Sequence, residues 1–258
     1  MVINLDRSSD RLVHVTSEFA RIGIAFERVP AIEASHTIPA PGLSAAETAC
    51  FRSHQLCWWI IADSADRYAA VFEDDIVFSG GAGPILADAG WLLAGADIVK
   101  LETFFTPVRL VRRRLQLENS HSLTRMLGQH IGAAGYIVSR TSARKLLKRT
   151  KTFKDPVDFV LFSPLHLTSA RSTIYQIAPA ICAQGRFVSE APFQTLIQYD
   201  RPHRRTPVVK KVRHEVSRAV AFVRNLALPG RRRLPSDLRI GPEQRCPKSR
   251  FPTPIACT

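Results

Sequence analysis

The chain has 258 residues, of which 45% are hydrophobic and 22% charged, with 13 Gly; this excludes a collagenous or repeat architecture and disorder along the whole chain. The length fits one large domain, or one domain and a tail, with enough chain to bury a substantial core. The formal charge of +14 is uneven: residues 201–258 carry 15 Lys and Arg against 3 Asp and Glu, whereas residues 1–200 carry 21 against 19.

In chain order, Val2-Ile3-Asn4-Leu5 is a short apolar run that stops at a polar turn, Asp6 to Arg11. Leu12, Val15, Phe19 and Ile22 follow at helical spacing, and Gly23 ends the helix. A second short strand is expected around Phe26 to Ile32, before a loop marked by Pro39 and Pro41. Ser44-Ala45-Ala46-Glu47 is a capping box. The helix it opens should run to about Asp63 and bury Cys50, His54, Cys57 and Ile61 on one face. Tyr68 to Phe72 reads as a strand apolar on both faces, hence central in a sheet, ending at Glu73-Asp74-Asp75. Asp97 to Leu101 and Ala133 to Ser139 are further strands, the latter followed by a short helix over Ser142 to Arg149.

Strands alternating with helices imply an α/β domain of Rossmann type, with a mainly parallel sheet flanked by helices. Ligands in such sheets sit beyond the carboxyl ends of the strands. The loop after Leu5, the acids after Phe72 and the segment after Leu101 should therefore surround one site. The division expected is a catalytic domain over 1–200 and a basic helical tail over 201–258. In the tail, Val209, Val212, Val216, Ala219, Val220, Val223 and Leu226 fall on one helical face with Lys210, Lys211, His214 and Arg218 opposite. Such an appendage suits an anionic phospholipid surface or nucleic acid. Phe222 is its one aromatic before the last residues, so the stacking surface expected for single strands is lacking, and nucleic acid is the weaker partner.

Five cysteines form an odd set without a C-x-x-C pair, so neither a disulfide framework nor a structural zinc site is indicated. No apolar run approaches the roughly 20 residues that span a bilayer, and the N-terminus reaches Asp6 and Arg7 too soon for a signal-peptide core. These features lead us to expect a cytoplasmic protein, soluble or peripheral at the inner face of the cell membrane.

Glu73, Asp74 and Asp75 repel one another, so gathering them needs solvent or a cation. Their oxygens suit a hard ion such as Mn²⁺ or Mg²⁺, which takes remaining ligands from water and substrate phosphates; a solvated acidic turn is the alternative. The opening Val2 to Arg11 resembles the start of glycosyltransferase family 25, the lipopolysaccharide-biosynthesis glycosyltransferases related to collagen galactosyltransferases. The resemblance continues through Ala49 to His54, Phe72 to Asp75, Gly135 to Ser139 with Ala143, Lys145, Leu146 and Leu147, and Pro156 to Asp158. It closes with Pro179, Gln184 and Ser189.

This resemblance implies a GT-A-like fold that transfers a hexose, commonly galactose from UDP-galactose, to a saccharide hydroxyl with inversion. It further implies that an acidic motif holds the metal against the donor diphosphate. Glu73 and Asp75 occupy the outer positions of that motif, with Asp75 the favoured metal ligand and Glu73 and Asp74 near donor ribose, sugar or metal-bound water. Arg7 and Arg11 are placed either to meet the same phosphates or as surface arginines at a helix start.

Inversion needs one base for the acceptor hydroxyl. Asp158, between Pro156 and an apolar run, is the first candidate and otherwise a helix N-cap. Glu102 and His54 are weaker candidates, and His54 equally suits a hydrogen-bonded core position. Lys100 could reach a phosphate or merely close a strand. Adjacent Trp58 and Trp59 cannot both face one pocket. The expected partners are thus a UDP-sugar donor, a lipid-linked or oligosaccharide acceptor, and an anionic membrane through the tail.

Overall fold

The structure, a computed structural model, describes residues 1–117 and 120–188. The expected tail helix, the boundary at residue 200 and Ser189 lie outside the described residues. Ten strands are present among those residues: β1 (Val2–Asn4), β2 (Arg28–Pro30), β3 (Tyr68–Glu73), β4 (Ile76–Phe78), β5 (Ile98–Lys100), β6 (Leu110–Gln116), β7 (Ser122–Met126), β8 (Gly135–Ser139), β9 (Ile174–Ala178) and β10 (Cys182–Gln184). The α-helices are α1 (Ser9–Arg21), α2 (Ala45–Asp63), α3 (Ala82–Ala87), α4 (Arg140–Arg149), α5 (Val157–Phe162) and α6 (Leu167–Ala170).

Eight strands form one sheet in the order β2-β1-β3-β8-β5-β9-β7-β6. Six of the eight point the same way, which matches the parallel expectation. However, β8 runs backwards between β3 and β5, and β7 runs backwards between β9 and β6, so four of the seven neighbouring pairs are antiparallel. The sheet is mixed in its pairing and mostly parallel in its strand direction. A second, two-stranded sheet pairs β10 with β4.

Period-two alternation explains why the central strands are apolar throughout. Ile3, Val71, Ile98, Tyr136 and Val138 face a core built with α2, α4 and α5. Val2, Phe72, Val99 and Ile137 face a second core with α1 and α3. Helix α2 starts on the expected capping box: Glu47 N–H donates to Ser44 Oγ (3.1 Å) and Ser44 N–H to Glu47 Oε2 (2.9 Å). It buries His54, Cys57 and Ile61, and leaves Cys50 partly accessible. Trp58 is 0% exposed and Trp59 63%, so only the first packs inward. Gly23, at φ +71°, turns the chain out of α1. Helix α4 begins at Arg140, earlier than its spacing predicts, because Ser139 accepts a capping hydrogen bond from Ser142 N–H. No helix among the described residues is long and apolar enough to cross a membrane.

Candidate active site

The carboxyl ends of β1, β3 and β5 meet at one edge, and the reversed β8 starts there. Chain reversal at Glu73-Asp74-Asp75 leads into β4, and β10 pairs with β4 so that Gln184 lies opposite Ile76. Gly185 N–H then donates to the Asp75 carbonyl at 2.7 Å. The three expected segments do converge: Asn4 and Arg11 reach Asp74, while Glu102 reaches Ala134 at the start of β8.

Each of the three acids has a different environment. Asp74 is buried with both oxygens engaged: Arg11 Nη1 donates to Oδ1 (2.9 Å) and Asn4 Nδ2 to Oδ2 (2.8 Å). Asn4 in turn donates to the Ser8 carbonyl and accepts from Arg28 Nε. Asp74 thus ties the first strand and helix to the acidic turn. Arg11 is buried against it, and Arg7 is exposed.

Asp75 is 3% exposed, and its Oδ1 is buried with no hydrogen-bond partner. Its Oδ2 accepts from Gln184 Nε2 at 3.5 Å, and the same amide donates to Glu73 Oε2 at 3.2 Å. Arg186 Nη2 donates to Gln184 Oε1 at 3.0 Å, which fixes the amide so that its N–H groups face the acids. Burial, then the charge of neighbouring Asp74 and Asp158, pushes the Glu73 carboxyl up to about 7. Burial and then Glu73 push Asp75 up to about 7 as well. The orphaned buried oxygen of Asp75, with the Glu73 carboxyl on the same Gln184 amide, forms an oxygen donor set that fits a hard divalent cation.

His54 lies behind Glu73. Trp58 Nε1 can only donate, and it donates to Tyr136 Oη at 2.8 Å; the same hydroxyl shares a hydrogen bond with His54 Nδ1, 3.0 Å away. The other ring nitrogen, His54 Nε2, faces Glu73 Oε1 at 3.4 Å. Burial lowers His54 to about 4, so the ring is neutral near pH 7.

A cavity is lined by Glu73, Gln184, Asp158, Glu47, Cys50 and Arg186, with Phe104, Gly132 and Pro156 among its other walls. Asp158 lies in the first turn of α5, where Pro156 is the N-cap, and its Oδ1 accepts from Phe159 N–H at 2.7 Å. Lys100 and Glu102 are brought close to this site but not into the cavity lining. Both are fully buried, with Lys100 Nζ 2.9 Å from Glu102 Oε1 and donating also to the Gly132 carbonyl at 2.5 Å. Ala134 N–H donates to the same Glu102 oxygen. Burial raises the Glu102 carboxyl, and Lys100 partly offsets this. This pair holds the Gly132–Ala134 wall in place, because Lys100 grips one end and Glu102 the other.

Asn4, Cys50, Tyr136 and Arg186 complete the site without having stood out as site residues in the sequence. Asn4, Cys50 and Tyr136 fall within blocks that carry the family resemblance, and Cys50 precedes His54 by one helical turn, whereas Arg186 had no such signal.

A mostly parallel α/β sheet with an acidic turn at its carboxyl edge, beside a cavity with a further carboxylate, has the layout of an enzyme site of an α/β protein. The comparisons give the particular family. The model of "Glycosyltransferase family 25 (LPS biosynthesis protein)" matches residues 1–161. The lacto-N-neotetraose biosynthesis glycosyltransferase LgtE of Neisseria gonorrhoeae is 32% identical over 214 residues, covering 73% of this chain and 76% of that protein. LgtB of Neisseria meningitidis serogroup B is 31% identical over 253 residues, covering 86% and 92%. The lipooligosaccharide biosynthesis protein lic2B of Haemophilus influenzae is 25% identical over 203 residues, covering 71% and 74%. The chain belongs to glycosyltransferase family 25 and is a glycosyltransferase of that lipopolysaccharide-biosynthesis family.

Proposed function

We propose that this enzyme has a GT-A-like catalytic domain and moves a hexose, galactose first among the candidates, from a UDP-sugar to a saccharide hydroxyl of a lipooligosaccharide-type acceptor, with inversion. The relatives' names, lacto-N-neotetraose and lipooligosaccharide biosynthesis, support the acceptor class. The observation that carries the reading is the unpartnered, buried Oδ1 of Asp75, whose carboxylate is joined through Gln184 Nε2 to Glu73, which lines a cavity with Asp158.

Asp75 and Glu73 would hold Mn²⁺ or Mg²⁺, with Gln184 keeping the two carboxylates apart and aimed. When bound, such an ion offsets the negative charge that grows on the departing diphosphate. Asp158 takes the acceptor proton from the cavity side opposite the diphosphate. Its place within the lining favours it over Glu102, which is 0% exposed and engaged by Lys100. Arg7, exposed after β1, is the available cation for the donor phosphates, whereas Arg11 and Asp74 brace the wall behind them. His54 packs behind Glu73, with Nε2 3.4 Å from Oε1.

The cationic tail places the enzyme at an anionic membrane surface, where basic residues add roughly 1 kcal/mol each and an amphipathic helix adds apolar burial. In this reading the protein works from the cytoplasm, peripheral at the inner membrane face. The test of the transfer reaction is a panel of nucleotide sugars offered with a lipooligosaccharide-type acceptor. Product from a UDP-hexose that requires Mn²⁺ or Mg²⁺ is expected. Transfer from a different nucleotide class, or transfer unaffected by chelator, would contradict the reading.

A further inference from the structure

Three ligating side chains of different chemistry gather on the α2 side of the cavity. Cys50 and His54 are four residues apart on one helix, so they stand one turn apart on the same face. Glu73 approaches them from the end of β3. A Cys50, a His54 and a Glu73 ligand atom all lie within 4.8 Å of one another. Cys50 and Glu73 line the cavity, which gives an entry path, and His54 sits just behind at 1% exposure. A thiolate, an imidazole and a carboxylate with one side open to solvent is a donor set for zinc-like ions, unlike the all-oxygen pair Glu73 and Asp75.

The surroundings complete this set. An imidazole that ligates through one nitrogen is normally held by a partner on the other, and Tyr136 Oη, 3.0 Å from His54 Nδ1, is in position to be that partner. Trp58 fixes the tyrosine hydroxyl from behind. Burial, then Glu73 and Asp158, keeps the free Cys50 thiol well above its ordinary range. A cation arriving there would remove the cost of the thiolate, and the Cys50 proton would pass to buffer on binding.

We propose that Cys50, His54 and Glu73 form a thiophilic metal site that takes Zn²⁺ and, because Glu73 is shared, excludes the hard ion from Glu73 and Asp75, so that zinc inhibits the enzyme. The ligation stands on these three residues alone; the inhibition rests on the function proposed above.

Titrating the full chain carrying Cys246→Ser and Cys257→Ser with Co²⁺ reads the site directly, since the tail thiols are then removed. The expected result is one equivalent of Co²⁺ with a thiolate-to-metal charge-transfer absorption that Zn²⁺ abolishes. Adding Cys50→Ser removes the band and weakens Zn²⁺ at least tenfold, whereas Cys57→Ser and Asp75→Asn leave the band in place. Absence of the band in the parent, or its persistence in Cys50→Ser, overturns the proposal. Should Cys50→Ser fail to fold, alkylation mapping of the parent decides: Zn²⁺ must protect Cys50, and protection of Cys57 or Cys182 in its place overturns the assignment. Mn²⁺-dependent UDP binding is measured in parallel. Its absence beside an intact cobalt band would overturn the proposed function and the competition, while the ligation stood.

Discussion

Gln184 Nε2 donates to Glu73 Oε2 across 3.2 Å although 111 residues separate them in the chain. The same amide lies 3.5 Å from Asp75 Oδ2, so one neutral side chain separates and orients two acids that would otherwise repel. Replacing it with Leu removes that link while keeping its approximate volume. Gln184→Leu is expected to weaken Mn²⁺ binding at least tenfold, the scale on which outer-shell partners act, with a smaller change in fold stability. Calorimetric titration checks the first and urea denaturation the second.

Asp74 has a structural signature distinct from its neighbours. Removing its charge breaks the buried Arg11–Asp74 ion pair, and breaking a buried pair on one side typically costs about 3 kcal/mol or more. Asp74→Asn should therefore lower the urea midpoint by a corresponding amount at unchanged slope. At temperatures where it remains folded, it should still bind Mn²⁺. Asp75→Asn should do the opposite, holding its stability and losing the ion.

The acids also fix a pH dependence. Burial, then the charge of neighbouring acids (Asp74 and Asp158 for Glu73, Glu73 for Asp75), lifts Glu73 from 4.5 and Asp75 from 3.8 to about 7 in the folded, metal-free protein. Folding then takes up protons between those ordinary values and about 7, so metal-free stability falls as pH rises through that window and levels off above it. A divalent ion binds the ionised forms, so its stabilisation must grow over the same window. Melting curves with and without Mn²⁺ at about pH 5 and about pH 8 check this: the increment should be small at the lower pH and large at the higher.

Much of this arrangement was legible in the sequence. The capping box at Ser44, the doubly apolar run ending at Phe72 and the acids at a strand end are local signals, and the structure puts all three where spacing places them. What escaped was non-local. Strand β10 is only three residues long and becomes a strand by pairing with β4, so Gln184 carried no role that spacing could supply. The reversal of β8 is also invisible to periodicity, because a strand buried on both faces reads the same in either direction. Lys100 and Glu102 looked like candidates for phosphate and proton transfer, and two positions apart on a strand end they point to the same side. Only the packing reveals that they neutralise each other beneath the cavity wall.

The charge concentrated after residue 200 gives a prediction outside the catalytic site. Deleting residues 202–258 should weaken binding to anionic vesicles and leave transfer to a small soluble acceptor largely intact, as expected where basic residues act additively at a charged leaflet. Co-sedimentation with vesicles of increasing anionic lipid content, in parallel with a transfer assay, separates the two. Equal vesicle binding by both proteins would remove the membrane role of the tail.

The central claim is that Asp75 and Glu73 capture a divalent cation and, through it, a nucleotide diphosphate. Isothermal titration of the purified chain with UDP, with and without Mn²⁺, tests it most directly, alongside Asp75→Asn. The account predicts saturable UDP binding that requires Mn²⁺ and disappears in the variant. UDP binding of equal strength without the ion, or preserved in Asp75→Asn, would contradict it.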